Sequence, residues 1–170
     1  MHVTIAMLTY RRNEYLAQVI PHLLEQVAEF SGPNKSAGIL IIDNDPQGGA
    51  RAVVESAQEV EAAQMAERAK SAGAAELPEV SRLAYVHEPE PGIVAGRNRA
   101  LERAHGTNAL VFIDDDEIPA PGWLTALVST WRSQGSAAVT GPTPPAFEAD
   151  PSPWVSASGA FDSWEAADGA

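Results

Sequence analysis

The sequence predicts an α/β fold, a mostly parallel sheet with helices on both faces. Short apolar runs (Val3-Thr4-Ile5-Ala6-Met7-Leu8, Ile39-Leu40-Ile41-Ile42, Leu83-Ala84-Tyr85-Val86 and Leu110-Val111-Phe112-Ile113) alternate with longer segments of helical period. That alternation calls for parallel strands joined by right-handed crossovers. Each run also stops abruptly at polar residues. Ligands bind in an open parallel sheet beyond the C-terminal ends of the strands, so Thr9 to Arg12, Asp43 to Asp45, His87 to Glu90 and Asp114 to Glu117 are expected to converge.

Each element has a local reason. After the first strand, Asn13 is placed to cap a helix and Glu14 suits its first turn, while Leu16, Val19, Ile20, Leu23, Leu24 and Val27 form one apolar stripe. Pro21 lies inside that stripe and should kink or interrupt the helix. Ser31-Gly32-Pro33-Asn34 is a loop before the second strand. From Ala50 to about Ala72 the chain is rich in Ala, Glu, Gln and Arg, strong helix formers, with Val53, Val54, Ala57 and Val60 as the expected inner face and a solvated second half. Gly73 and Pro78 end it. A third, shorter strand leads to a helix through Ile93, Val94, Arg97, Asn98, Ala100, Leu101 and Ala104, stopped by Gly106. The fourth strand, Leu110 to Ile113, reads as buried on both faces because its run is wholly apolar. Trp123, Leu124, Leu127, Val128 and Trp131 make a fourth helical stripe, and Ala137-Ala138-Val139-Thr140-Gly141 reads as a fifth short strand. Around Trp154, Phe161 and Trp164 no periodicity remains. The expected organisation is one domain over 1–141 and an irregular Pro/Gly/Ser-rich tail over 142–170.

Composition narrows the function. A chain of 170 residues supports one domain with a real core, and 45% hydrophobic with 20% charged residues is an ordinary globular balance. Eleven Lys plus Arg against 23 Asp plus Glu, a net charge of −12, argues against a nucleic-acid-binding surface. With no Cys there are no disulfides, thiolate metals or thiol nucleophiles. The start, Met1-His2 followed at once by a strand, resembles neither a signal peptide nor a membrane span. A cytoplasmic protein is expected, with peripheral attachment at the inner membrane face as a variant.

The acids at the fourth strand's end carry the chemistry. Clustered carboxylates repel one another and persist on a half-buried rim when a cation or donor group compensates them. Oxygen-only ligands suit Mn²⁺ or Mg²⁺; the bland alternative is a solvated acidic turn, helped by Pro119 and Pro121. An anion at the same edge could use Arg11 or Arg12 and helix N-terminal amides, and Asp43 or Asp45 could accept from a ribose or a base. The combination points to a nucleoside diphosphate. His87, His105, Trp123 and Trp131 read as structural.

Four stretches then carry a resemblance: Thr9-Tyr10-x-Arg12, Ile42-Asp43-Asn44, Gly92-Ile93-x-x-Gly96-Arg97-Asn98 and Phe112-Ile113-Asp114-x-Asp116. In this order and spacing they resemble family 2 glycosyltransferases of the GT-A fold, particularly bacterial exopolysaccharide enzymes of the succinoglycan type. The resemblance implies an inverting transferase that moves a sugar from a nucleotide diphosphate sugar, a UDP-sugar first among them, to a glycan or lipid-linked glycan acceptor. It implies that Thr9, Tyr10, Arg12, Asp43, Arg97, Asp114 and Asp115 contact the donor, with Asp43 reading the base and Arg97 near base and phosphates. Asp114 and Asp116 resemble the pair that holds Mn²⁺ or Mg²⁺ against the diphosphate. Two positions depart from the family pattern: Arg11 stands where Asn is common, and Gly96 where Ala is usual. The family's catalytic carboxylate lies well downstream of the acidic pair, and the acids after it here, Glu148, Asp150, Asp162, Glu165 and Asp168, match no such motif. The base is therefore expected outside this chain, with Asp162 or Glu165 as a substitute. The acceptor side is expected to be incomplete, inviting self-association through an uncovered edge.

Two other functions compete. A non-catalytic module binding a nucleotide sugar or divalent cation would bind without turnover. A sugar-phosphate nucleotidyltransferase is expected to carry a glycine-rich loop after the first strand, which Leu8-Thr9-Tyr10-Arg11-Arg12 lacks.

Overall fold

Strand β1 (His2–Thr9) is followed by helix α1 (Asn13–Phe30), β2 (Ser36–Asp43), α2 (Arg51–Ala72), β3 (Leu83–His87), α3 (Ile93–Arg103), β4 (Ala109–Asp114), α4 (Trp123–Gln134) and a short α5 (Pro153–Ala157). The computed structural model describes residues 1–72, 81–147, 149–159 and 161. Two compact units are distinguished, Met1–Trp123 and Leu124–Ala170.

In the first unit a four-stranded parallel sheet has the order β3-β2-β1-β4. Thr9 pairs with Asp43, Leu8 with Asp114 and Asp43 with His87, so all four strands end at one edge. Period-two alternation divides the strand residues between two faces. Ala6, Leu40 and Ile42 pack with Ala100 of α3, flanked by Leu8, Val86 and Leu110. Ile5, Met7, Ile39 and Ile41 point the other way and are equally buried, on the side where α1 supplies Leu16, Val19, Ile20, Leu23, Val27 and Phe30. Helices thus cover both faces, as expected. Gly96 lets α3 approach β1 closely, since a Cβ there would lie 2.6 Å from Leu8 Cδ2.

Several expectations are corrected. Pro21 does not interrupt α1, which runs unbroken for 18 residues; its ring is on the exposed face, where the lost N–H leaves a carbonyl that water can reach. Asn13 is the first helical residue rather than the cap, and its side-chain amide donates to the Gly49 carbonyl (3.0 Å). Strand β4 is not buried on both faces: it is one of the two outer strands among the described residues and Phe112 is exposed. Residues 137–141 form no strand, and α5 was not anticipated. Gly73, Pro78, Glu148, Asp162, Trp164, Glu165 and Asp168 lie outside the described residues. In the second unit, Leu124 and Val128 are the buried positions of α4, and Phe147 meets Phe161 edge to face at 5.3 Å. No helix among the described residues is long and apolar enough to cross a membrane.

Helix α2 is rotated relative to expectation. Val60 is exposed and Glu61 is buried. The cause is a charge at the mouth of β3: Arg82 Nε donates to Glu61 Oε1 (2.8 Å) and the Ser81 hydroxyl to Oε2 (2.9 Å), while the Gln58 amide donates to the Leu83 carbonyl (2.8 Å). A carboxylate with these donors is stable where one more valine would gain only area. Glu61→Ala, which strands the half-buried Arg82, is expected to cost about 2–3 kcal/mol in urea unfolding, and Val60→Ala no more than about 0.5 kcal/mol. A larger loss for Val60→Ala would restore the orientation expected from sequence.

Candidate functional site

The order β3-β2-β1-β4 means that the chain steps outward from β1 to β3 and then returns to the far side of β1. The reversal point lies between β1 and β4, where loops leaving neighbouring strands diverge and open a crevice. The loops after these two strands contain Thr9 to Arg12 and Asp114 to Glu117.

They are joined through Asp115. Its exposure alternates with that of its neighbours: Ile113 and Asp115 are buried, Asp114 and Asp116 exposed. At 5% exposure the Asp115 carboxylate needs donors, and it has two. The Thr9 hydroxyl donates to Oδ2 (2.8 Å) and Arg12 Nη1 to Oδ1 (3.0 Å). The same Nη1 donates to Asp116 Oδ2 (2.7 Å). Hydrogen bonds to Asp115 and then Asp116 raise the Arg12 pKa further, so its charge is permanent. Thr9 is buried and its hydroxyl is committed to Asp115, which makes it a support beneath the acids. Asp114 is exposed at the strand end, and its backbone N–H donates to Glu117 Oε2 (3.2 Å).

Arg11 has φ 55°, the left-handed region that Asn tolerates better than other side chains. Here the strain is offset by two contacts: Nε donates to Asp45 Oδ1 (3.3 Å), and the guanidinium lies 5.1 Å from the centre of the Tyr10 ring. Tyr10 is about half exposed at the same sheet edge.

Asp43 is completely buried and accepts three hydrogen bonds, from Asp45 N (3.0 Å), Ala50 N (2.9 Å) and the Tyr85 hydroxyl (2.9 Å). It therefore shapes the turn between β2 and α2 from below. Burial, followed by the Asp43 hydrogen bond, pushes the Tyr85 phenol up to about 12. Arg51 stacks over the Tyr85 ring at 4.5 Å. Tyr85 was missed in the sequence; it pairs with Ile41 and so meets Asp43 diagonally, which needs the register to be known.

Asn44 and Glu88 connect the remaining loop. The Asn44 amide donates to the carbonyls of Glu88 (3.1 Å) and Glu90 (2.6 Å), and Gly92 N donates to its oxygen (2.8 Å). The Glu90 backbone N–H, and after it Arg99 at 2.8 Å, hold the Glu88 carboxyl below its usual range against the opposing effect of burial. His87 Nε2 donates to the Asp45 carbonyl (2.8 Å), a structural role as expected. All four strand-end loops are thus stitched into one polar edge. Arg97 is exposed on α3, with its guanidinium 5.7 Å from the centre of the Phe112 ring.

Such an edge offers exposed carboxylates beside an arginine. Among the described residues no group of three or more His, Asp or Glu side chains is placed to hold a metal alone. Mg²⁺ and similar ions are commonly held by one or two carboxylates plus ligand phosphates, without a closed protein cage. Asp114 and Asp116, exposed oxygen donors on either side of an anchored Asp115, fit that mode.

Residues 4–164 match the family model described as Glycosyl transferase family 2. The chain is 33% identical over 143 residues to the succinoglycan biosynthesis protein ExoM of Rhizobium meliloti (strain 1021), covering 84% of this chain and 38% of that protein. It spans well under half the length of that relative. It is also similar to the crystal structure of S. aureus TarS, with TM-score 0.48 and 17% identity over 80% of this chain and 20% of that one. A second structure, TarS 1-349, gives TM-score 0.46 and 15% identity, covering 80% and 34% of the two chains. Because the family match runs from within β1 to beyond α5 and takes in every strand-end loop, this α/β chain belongs to glycosyl transferase family 2.

Proposed function

We propose that this chain binds a nucleotide diphosphate sugar and serves an inverting transfer of that sugar to an acceptor hydroxyl during polysaccharide synthesis. The observation that carries this reading is the pairing of exposed Asp114 and Asp116 over a buried, doubly bonded Asp115 at the sheet's reversal point. The family match and the likeness to a succinoglycan biosynthesis protein support the same reaction class.

Each residue has a separate task. Asp116, with Asp114 beside it, would hold Mn²⁺ or Mg²⁺, and that ion when bound neutralises charge developing on the diphosphate leaving group. Asp115 and Thr9 fix the two outer carboxylates in position. Tyr10, half exposed beside Arg11, forms a flat wall for a base or ribose. Asp43 keeps the turn leading to Asp45 in shape, so its influence on the nucleoside passes through that turn. Arg97 adds positive charge on the β4 side. No described carboxylate is assigned as the acceptor base, since the clustered acids face the donor.

Asp116→Ala is expected to abolish the Mn²⁺-dependent part of UDP and GDP affinity in calorimetry while the unfolding free energy from urea titration stays within about 0.5 kcal/mol, because Asp116 is exposed. Wild-type, metal-sensitive binding by this variant would remove the acidic pair from the site. Asp43→Ala should weaken UDP or GDP at least about tenfold, the loss of roughly one or two hydrogen bonds that order the turn, and leave inorganic pyrophosphate within about twofold. Equal losses for nucleotide and pyrophosphate would instead mark a general collapse of the edge.

A further inference from the structure

One atom, Arg12 Nη1, reaches both Asp115 Oδ1 and Asp116 Oδ2. The two carboxylates have different surroundings, Asp115 with 7% of its side chain exposed and Asp116 with 50%. A buried ion pair is costly to break by removing one partner, whereas an exposed one contributes little and exchanges readily. The same guanidinium is therefore anchored on one side and replaceable on the other. A guanidinium carries five N–H groups. Nη1 is the nitrogen engaged in both bonds, and Nε and Nη2 make none among the described residues.

We propose that Arg12 is a resident counter-ion for Asp116, holding the carboxylate oxygen that a divalent cation takes over when donor binds, and then turning its unused N–H groups onto the diphosphate. This rests on the donor reading above. With no metal bound, Arg12 is the cation paired to Asp115 and Asp116 among the described residues, which keeps the edge assembled in a chain of net charge −12. A metal arriving alone must displace that cation and then meets its repulsion. A metal arriving with a diphosphate meets neither difficulty, because the released guanidinium gains new anionic acceptors while Asp115 retains it. Arg12 thereby couples metal and nucleotide binding, each favouring the other.

The test uses the full chain and reads binding rather than turnover. Mn²⁺ alone, and then UDP or GDP at saturating Mn²⁺, are titrated into wild type, Arg12→Gln and Arg12→Lys. The counter-ion role gives opposite signs in Arg12→Gln: Mn²⁺ alone binds about two- to fivefold more tightly, and the nucleotide at least about tenfold more weakly. Should Arg12→Gln fail to fold, Arg12→Lys decides, since an ammonium held by Asp115 does not span both carboxylates as the fork does. Its Mn²⁺ affinity should be no weaker than wild type and its nucleotide affinity several-fold lower. A fall in both affinities, or unchanged Mn²⁺ affinity with unchanged nucleotide affinity, would overturn the proposal. Wild type that binds neither UDP nor GDP in a Mn²⁺-dependent way would remove the donor reading itself, and this inference with it.

Discussion

The arrangement at the polar edge depends on the burial of one carboxylate. Asp115 is removed from water, and an ion so placed costs several kcal/mol unless hydrogen-bonding donors replace the solvent. Both donors come from the other end of the sequence, Thr9 at the end of β1 and Arg12 just beyond it. They reach Asp115 only if β1 and β4 are neighbours with Leu8 opposite Asp114. A slip of one residue would turn Ile113 and Asp115 outward together. The apolar core and the polar edge therefore enforce the same register.

Asp43 repeats this logic on the opposite side of β1. It too is buried at a strand end, and it too is compensated by groups from other elements: the turn after β2, the start of α2, and Tyr85 of β3. Between these two supports the exposed groups, Tyr10, Arg11, Asp114 and Asp116, have a fixed base. Buried acids hold the frame, and exposed acids remain for a ligand.

Much of this was legible in the sequence, for identifiable reasons. Runs such as Ile39 to Ile42 are short, apolar and followed by polar stops, so strand positions and the edge where loops gather could be read directly. The stripe from Leu16 to Val27 specified α1 in spite of Pro21, because burial of a whole face outweighs one missing hydrogen bond. What could not be read was which member of a pattern faces inward. The Leu110 to Ile113 run looked buried on both sides, but the strand order that makes β4 an outer strand is a non-local property. Val60 and Glu61 exchanged roles because Arg82, distant in sequence, supplies a charge partner. Within Asp114-Asp115-Asp116, residue types are identical, and only the turn after β4, where Thr9 and Arg12 reach Asp115, distinguishes a support from its exposed neighbours. Arg11 and Gly96 also have local accounts: Arg11 takes a left-handed backbone stabilised by Asp45 and Tyr10, and Gly96 gives room to Leu8.

The place of β1 in the sheet has a kinetic consequence. It is the first strand in the chain, yet it lies inside the sheet with β2 on one side and β4 on the other. Its pairing with β2 needs the intervening α1, but its pairing with β4, Val3 opposite Ala109, joins residues more than half the chain apart. Closing so long a loop delays the contact, and folding slows as such non-local pairings come to dominate. During synthesis β1 must wait, with one row of backbone hydrogen-bonding groups unpaired, until β4 emerges. Asp115 and its donors meet at that step, so the candidate site assembles only when β4 has joined β1.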